Sequence, residues 1–506
     1  MNLFFLFYKE FKKILFLIFL WLFLNIILNH QGFDVKSYFI NPFIVVILSL
    51  ILMYIMNRSY SILIKYEDII KKNYHKILVL FFLYFCIMQF VFNFFLENGK
   101  PYSDFGMIRI AASEIYSNGV ISTVNDYFYM YPYQRMLPIL LALFYKITHI
   151  FGFNFNTSSV FLAVINVNLA VYLVLMLLKK SHGYTAMIMG IIFTALFIPF
   201  YYSPVYYYSD TMSLLYPVGL LYIVYLFIEN KYNNYIKYAL LSSIVLFIGS
   251  SIKFTVIIIF ISIVIFLFIS IFTNKQYKKS ILLYIIISIM SFSLLTIMAN
   301  TLFSNLAARN IIFAENKNNV ESLPKMYWIA MGANDSRLGA WNQEDANDIA
   351  LANVSKENKN KVAVERFVSR LENYGLHGYI KFITNKLTWM FGDGSFFYPI
   401  KLSSSIDERK KDNFISNTIL YNSVNYPYFL YFTQAVWVIM LYLILKYFFM
   451  NIFSRTIKID DILLVTIVGL LIFFSFWESR SRYIFNYAPI FIYTAILSFV
   501  RYFKKV

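Results

Sequence analysis

Residues 238–272 read YALLSSIVLFIGSSIKFTVIIIFISIVIFLFISIF, a stretch in which Lys253 is the only charged residue. A helix rises about 1.5 Å per residue and a bilayer's hydrocarbon core is about 30 Å thick, so roughly twenty apolar residues make one crossing. The stretch is long enough for two crossings. An unpaired cation at the bilayer centre costs roughly 2.5–3.5 kcal/mol on insertion scales, which puts Lys253 at the turn between them.

Similar runs recur along the chain. Its 506 residues are 60% hydrophobic and 14% charged, against about 25% charged in a soluble globular chain. A water-soluble fold is excluded, and the expected class is an all-α polytopic membrane protein. Spans are expected near 14–29, 38–56, 77–97, 158–178, 184–200, 210–229, 237–252, 254–272, 280–302, 426–446, 461–476 and 484–500, about twelve transmembrane helices. No small-residue cleavage site follows the first run, so it reads as a retained helix. The single cysteine, Cys86, rules out an intramolecular disulfide and a cysteine-based metal cluster.

A net charge of +18 suits either nucleic acid or anionic lipid, and its distribution decides. Clusters fall at Lys9, Lys12 and Lys13; at Arg58, Lys65, Lys71, Lys72 and Lys76; at Lys179, Lys180 and Lys231; at Lys275, Lys278 and Lys279; at Lys446, Arg455 and Lys458; and at Arg501, Lys504 and Lys505. With twelve spans these all lie on one side, which the positive-inside rule makes cytoplasmic. The short connections on the other side hold only Lys36, Lys253, Arg480 and Arg482. Both termini are therefore expected in the cytoplasm of a bacterial-type plasma membrane. The partner implied by the charge is the lipid bilayer, not nucleic acid.

Counting residues 132–152 as a span would invert every later loop. At 100° per residue Arg135, Ala142, Lys146 and His149 fall within about 60° of one another, so this helix is expected to lie in the outer interface with one polar stripe. The expected organisation is two transmembrane helices and a cytoplasmic loop over 1–76, then a transmembrane core over 77–302 carrying outer loop 98–157. A small, mostly helical extracytoplasmic subdomain over 303–425 and C-terminal transmembrane helices over 426–506 follow. Within the subdomain, helices are expected near 342–354 and 360–374, with turns at Gly332, Gly339, Gly375, Gly392 and Gly394.

Chemistry-bearing residues gather on the outer side. Asp104, in YSDFG, stands a few residues past the third span, where it can act as a general base or cap a helix. Asp210 closes YYSPVYYYSD (201–210) at a helix start that favours an acid, amid tyrosines, Tyr208 among them, that suit sugar faces and hydroxyls as well as a membrane interface. Lys253 can snorkel to headgroups or bind a lipid phosphate. WESRSRY (477–483) puts Glu478, Arg480 and Arg482 beside Tyr483, where the positive-inside rule disfavours arginine; arginine matches phosphate oxygens bidentately. Walker A, Rossmann and HExxH patterns are missing and the histidines are scattered. No metal site and no cofactor is read from these residues; a divalent metal stays an open alternative.

The order of these motifs resembles the GT-C class of membrane glycosyltransferases, similar to its protein O-mannosyltransferase and aminoarabinose transferase branch. The likeness is carried by Asp104, Ala111, Ala112 and Gly119; by Pro132, Pro138 and Gly152; by Pro204 and Asp210; and by Arg482 and Tyr483, over roughly residues 77–500. It implies a polyprenyl-phosphate-linked sugar as donor, Asp104 in the catalytic position and reaction on the outer face. Many relatives carry two adjacent acids where this chain has Ser103, Asp104 and Phe105, and the two N-terminal spans look additional to the family core. The expected roles are Asp104 as general base, Lys253, Arg480 and Arg482 as donor phosphate ligands, and Asp210, Glu478, Tyr208 and Tyr483 as groups positioning sugar or acceptor, with Asp210 and Glu478 alternatively positioning the basic partners. The acceptor class is a cell-envelope glycopolymer, lipid or protein. Two alternatives share these features: a flippase or transporter of lipid-linked saccharides, and a polymerase or ligase of lipid-linked glycans.

Overall fold

Helix boundaries in this chain follow local chemistry. The Asn41 side chain accepts from Phe43 N–H at 2.9 Å and Pro42 opens the helix Pro42–Lys65, a position where proline's missing N–H costs nothing. Asn154 caps Phe155–His182 by accepting from Thr157 N–H at 2.8 Å, and Gly183 ends that helix at φ 92°. The computed structural model describes residues 2–28, 40–99, 103–273, 275–350, 354–452 and 458–503. Lys36, Arg455, Lys504 and Lys505, and the adjoining ends of the first two expected spans, lie outside them.

The protein is an all-α polytopic membrane protein. Among the described residues ten helices are long and apolar enough to cross a membrane, and a bent pair, Tyr184–Leu196 with Pro199–Val205, makes an eleventh. Asp461–Phe476 is a shorter apolar helix. The pair occupies the range expected as a span over 184–200 and is bent by 69°. The break falls at Phe197, whose ψ of 78° leaves the helical range, and Pro199, with no N–H to donate, opens the next turn. Other helices outrun their apolar stretches, as Glu67–Phe95 and Lys278–Ala308 do, because helical hydrogen bonding continues into polar flanks.

Tyr426–Ile452 packs against Ala488–Phe503, Pro42–Lys65 and Asn2–Leu28, while Tyr235–Ile252 packs along Lys278–Ala308 and Ile257–Thr273 along Asp461–Phe476. Met136–Thr148, inside the stretch 132–152, is not among the candidate spans. Its expected polar stripe divides. Lys146 is exposed, but Ala142 is buried with Leu137, Leu141 and Tyr145 because Ser103–Asn118 packs on that side. Arg135 donates to Phe128 O at 3.1 Å, and His149 stacks on Tyr116.

The two long connecting segments are stitched together. Val120–Ile121 pairs in parallel with Ile312–Phe313, and Leu323 N–H donates to Met130 O at 3.1 Å. A second apolar cluster forms around Tyr327, Met331, Ile349 and Ala363. Beside it Asp345 is enclosed by Arg366 and Arg370, each at 2.8 Å. The long helix Lys356–Phe391 breaks at Gly375, whose φ of 57° favours glycine. It covers the helix expected over 360–374 and adds a second half beyond the break.

Candidate functional site

Asp210 sits in the short helix Ser209–Met212 and is almost fully buried. Its Oδ1 accepts from Lys253 Nζ at 2.5 Å, and its Oδ2 lies 3.2 Å from Arg482 Nη1. Lys253 gets there because it closes Tyr235–Ile252 in extended backbone, so its side chain leaves the helix axis and points into the bundle. Arg482 stands in the first turn of the helical segment Ser481–Tyr487, just before the last helix, and is buried at 5% exposure. Among the described residues its Nε and Nη1 have no hydrogen-bond partner. Two cations thus share one carboxylate in the protein interior, where uncompensated charge is costly.

Aromatic rings wall the group. Lys253 lies 4.1 Å and Arg482 5.1 Å from the Tyr483 ring, and Arg482 is 5.1 Å from Tyr208. Tyr483 donates to Glu478 Oε1 at 3.0 Å, which ties the buried Glu478 to the same ring. Burial pushes the Glu478 carboxyl up, against its tyrosine hydrogen bond and the Arg480 and Arg482 charges. Tyr208 accepts from Gln134 Nε2 at 2.8 Å. Arg480 takes a different place, 4.6 Å from the Phe397 ring and 5.5 Å from Trp389, and it makes no ion pair with Asp210.

Asp104 opens the helix Ser103–Asn118, where the helix dipole favours an acid. Among the described residues none hydrogen-bonds or ion-pairs with it. The next residue, Phe105, is fully buried and packs on Tyr206 at 4.8 Å and Tyr207 at 4.7 Å, which fixes Asp104 beside the tyrosine wall around Arg482. Tyr206 feels both charges. Burial pushes its phenol up to about 12, with Arg482 working against the shift and Asp104 adding to it.

The sequence-expected residues Asp210, Lys253, Arg482, Tyr208, Tyr483 and Glu478 therefore converge, with Asp104 near by and Arg480 on an adjoining aromatic shelf. Both Asp210 oxygens face cations, so its geometry is that of a holder of Lys253 and Arg482 rather than of a sugar ligand. Several members carried no sequence signal of their own. Lys401 lies in the field of Arg482, Asp104, Arg480 and Glu478, and burial together with Arg482 pushes its ammonium down to about 8. Gln134 reaches Tyr208 from the start of residues 132–152. Lys386 donates to Gly332 O at 2.6 Å and Trp477 O at 2.7 Å. Asp393, whose Oδ2 accepts from Ser481 Oγ at 2.6 Å, stands between Gly392 and Gly394, which read only as turns.

The opposite end of the same helices has its own charges. Arg501 pairs with Asp460 and contacts His182, Lys12 lies 3.5 Å from Asp461, and Lys180 lies 2.8 Å from Glu229.

No curated protein matches the chain in sequence. Among solved structures, the archaeal oligosaccharyltransferase AglB from Archaeoglobus fulgidus, in complex with an inhibitory peptide and a dolichol-phosphate, aligns at TM-score 0.45 and 12% identity. The alignment covers 86% of this chain and 51% of that one, so the chain spans about half the length of that protein. A family sequence model matches residues 3–502. The chain accordingly belongs to the family described as conserved hypothetical integral membrane protein.

Proposed function

We propose that the chain is a GT-C-type glycosyltransferase that moves a sugar from a polyprenyl-phosphate carrier to a cell-envelope acceptor. The supporting observation is the grouping of part-buried Lys253 and buried Arg482 on the single carboxylate of Asp210, with the Arg482 Nε and Nη1 groups free of hydrogen bonds among the described residues. A carrier phosphate supplies the negative charge this group lacks, and arginine suits phosphate oxygens.

In this reading Asp104 takes the proton from an acceptor hydroxyl as that oxygen bonds to the anomeric carbon. The bond from anomeric carbon to phosphate oxygen breaks, and its electron pair leaves with the polyprenyl phosphate. Lys253 and Arg482 stabilise the departing charge, Arg480 and Lys401 extend the cationic surface, and Tyr208, Tyr483 and Glu478 line the sugar side. Asp210 orients the two cations. Direct displacement with one base inverts the anomeric carbon. Lys179, Lys180, Lys231 and Arg501 mark the other end of the bundle, and lysine-rich ends face the cytoplasm, so reaction falls on the extracytoplasmic face of a bacterial-type plasma membrane.

The test is to incubate purified protein with polyprenyl-phosphate sugars and envelope acceptors and to follow free polyprenyl phosphate. Release by wild type and its loss in Asp104→Asn supports the reading. Saccharide translocation in vesicles without release from any donor would replace it with a transporter.

A further inference from the structure

Between the helices Lys356–Phe391 and Tyr398–Ser405 runs a loop whose sequence, GDGSFF (392–397), is buried throughout. A buried loop must satisfy its own polar groups, and this one does so against Tyr426–Ile452. Gln434 donates to Gly392 O at 2.7 Å and accepts from Gly394 N–H at 3.0 Å, while Trp437 Nε1 donates to Phe391 O at 2.6 Å. Gly394 has no room for a side chain, since a Cβ there would lie 2.6 Å from Thr433 O.

Asp393 is the hub of the loop. Its Oδ1 accepts from Ser395 N–H at 2.8 Å and Ser395 Oγ at 2.7 Å, and its Oδ2 accepts from Phe397 N–H at 2.7 Å. Those bonds hold Phe396 and Phe397 at φ 55° and 61°, backbone that bulky residues rarely adopt and that folds tolerate where the surroundings enforce it. The loop then grips the basic segment twice. Ser481, between the two arginines, donates to Asp393 Oδ2 at 2.6 Å, and the Phe397 ring lies 4.6 Å from the Arg480 guanidinium.

We infer that Asp393 is a positioning residue which, through Ser481 and Phe397, sets Arg482 and Arg480 in register to receive the carrier phosphate. The inference rests on the polyprenyl-phosphate reading above. It explains why an apolar chain keeps a fully enclosed aspartate whose partners are two serines and a strained aromatic pair. Asp393 touches no substrate; it acts through the placement of the guanidinium groups.

The test uses the full chain in lipid nanodiscs, titrated with a polyprenyl monophosphate and read for both Kd and the number of sites. Asp393→Asn and Ser481→Ala should each raise Kd about tenfold, the scale of one charge-assisted hydrogen bond, with the number of sites unchanged. A merely structural role would lower the number of sites and leave Kd alone. Ser481→Ala removes one hydroxyl and keeps the loop's own bonds, so it carries the test if Asp393→Asn fails to fold. Wild-type binding with Kd unchanged in the folded variants overturns the positioning role alone. No binding by wild type overturns the phosphate reading and this inference with it.

Discussion

Arg482 Nη1 lies 3.2 Å from Asp210 Oδ2 where two helix starts meet that are far apart in the chain, and Lys253 holds the other oxygen of the same carboxylate at 2.5 Å. Asp210→Asn removes the one negative charge shared by the buried Arg482 and the part-buried Lys253. Loss of a partner from a buried pair costs about 3–5 kcal/mol, so thermal unfolding should show a large drop. Asp210→Asn combined with Lys253→Met should recover part of it. A double variant no more stable than the single one would mean that Lys253 and Asp210 do not act as a pair.

Asp104 behaves differently, because no described residue pairs with it. Asp104→Asn should leave the melting temperature within experimental scatter and cut transfer by about 10²- to 10⁴-fold, the range of general-base catalysis. Equal losses of stability and activity would move Asp104 from a catalytic to a structural role.

Lys401 supplies a pH signature. Its ammonium, pushed down to about 8 by burial and Arg482, is charged below that pH and neutral above it. Donor binding should therefore weaken as pH rises through about 8, and Lys401→Arg, which stays charged, should flatten the profile. An unchanged profile in Lys401→Arg would exclude this lysine from the phosphate surface.

Much of the membrane architecture was legible, because runs of apolar residues report crossing helices directly. The run over 184–200 reads as one span, and hydropathy, which ignores backbone, carries no sign of the break at Phe197. Asp210, Lys253 and Arg482 stood out as charges where lipid disfavours them. Lys401 and Gln134 did not, because their segments are polar enough that another polar residue carries no signal. Asp393 sat between two glycines read only as turn markers, and its partners come from distant parts of the chain that no local pattern links.

Asp345 gives a prediction away from the site. Burial raises its carboxyl, but the hydrogen bonds from Arg370 and Arg366 outweigh that and leave it below the ordinary carboxylate range. A depressed folded pKa stabilises above the unfolded value, about 3.9 for aspartate, and the stabilisation fades as pH falls through the folded value. The melting-temperature gap between wild type and Asp345→Asn should be full at pH 7 and shrink below about pH 4. A gap independent of pH would mean that the ion pairs with Arg366 and Arg370 contribute nothing.

The most direct measurement is a structure of the protein with a polyprenyl monophosphate bound. The account predicts phosphate oxygens within hydrogen-bonding distance of the Arg482 guanidinium and the Lys253 ammonium, with Asp104 facing the same space. A phosphate seated instead at the opposite end, against Lys12, Lys180 or Arg501, would contradict it.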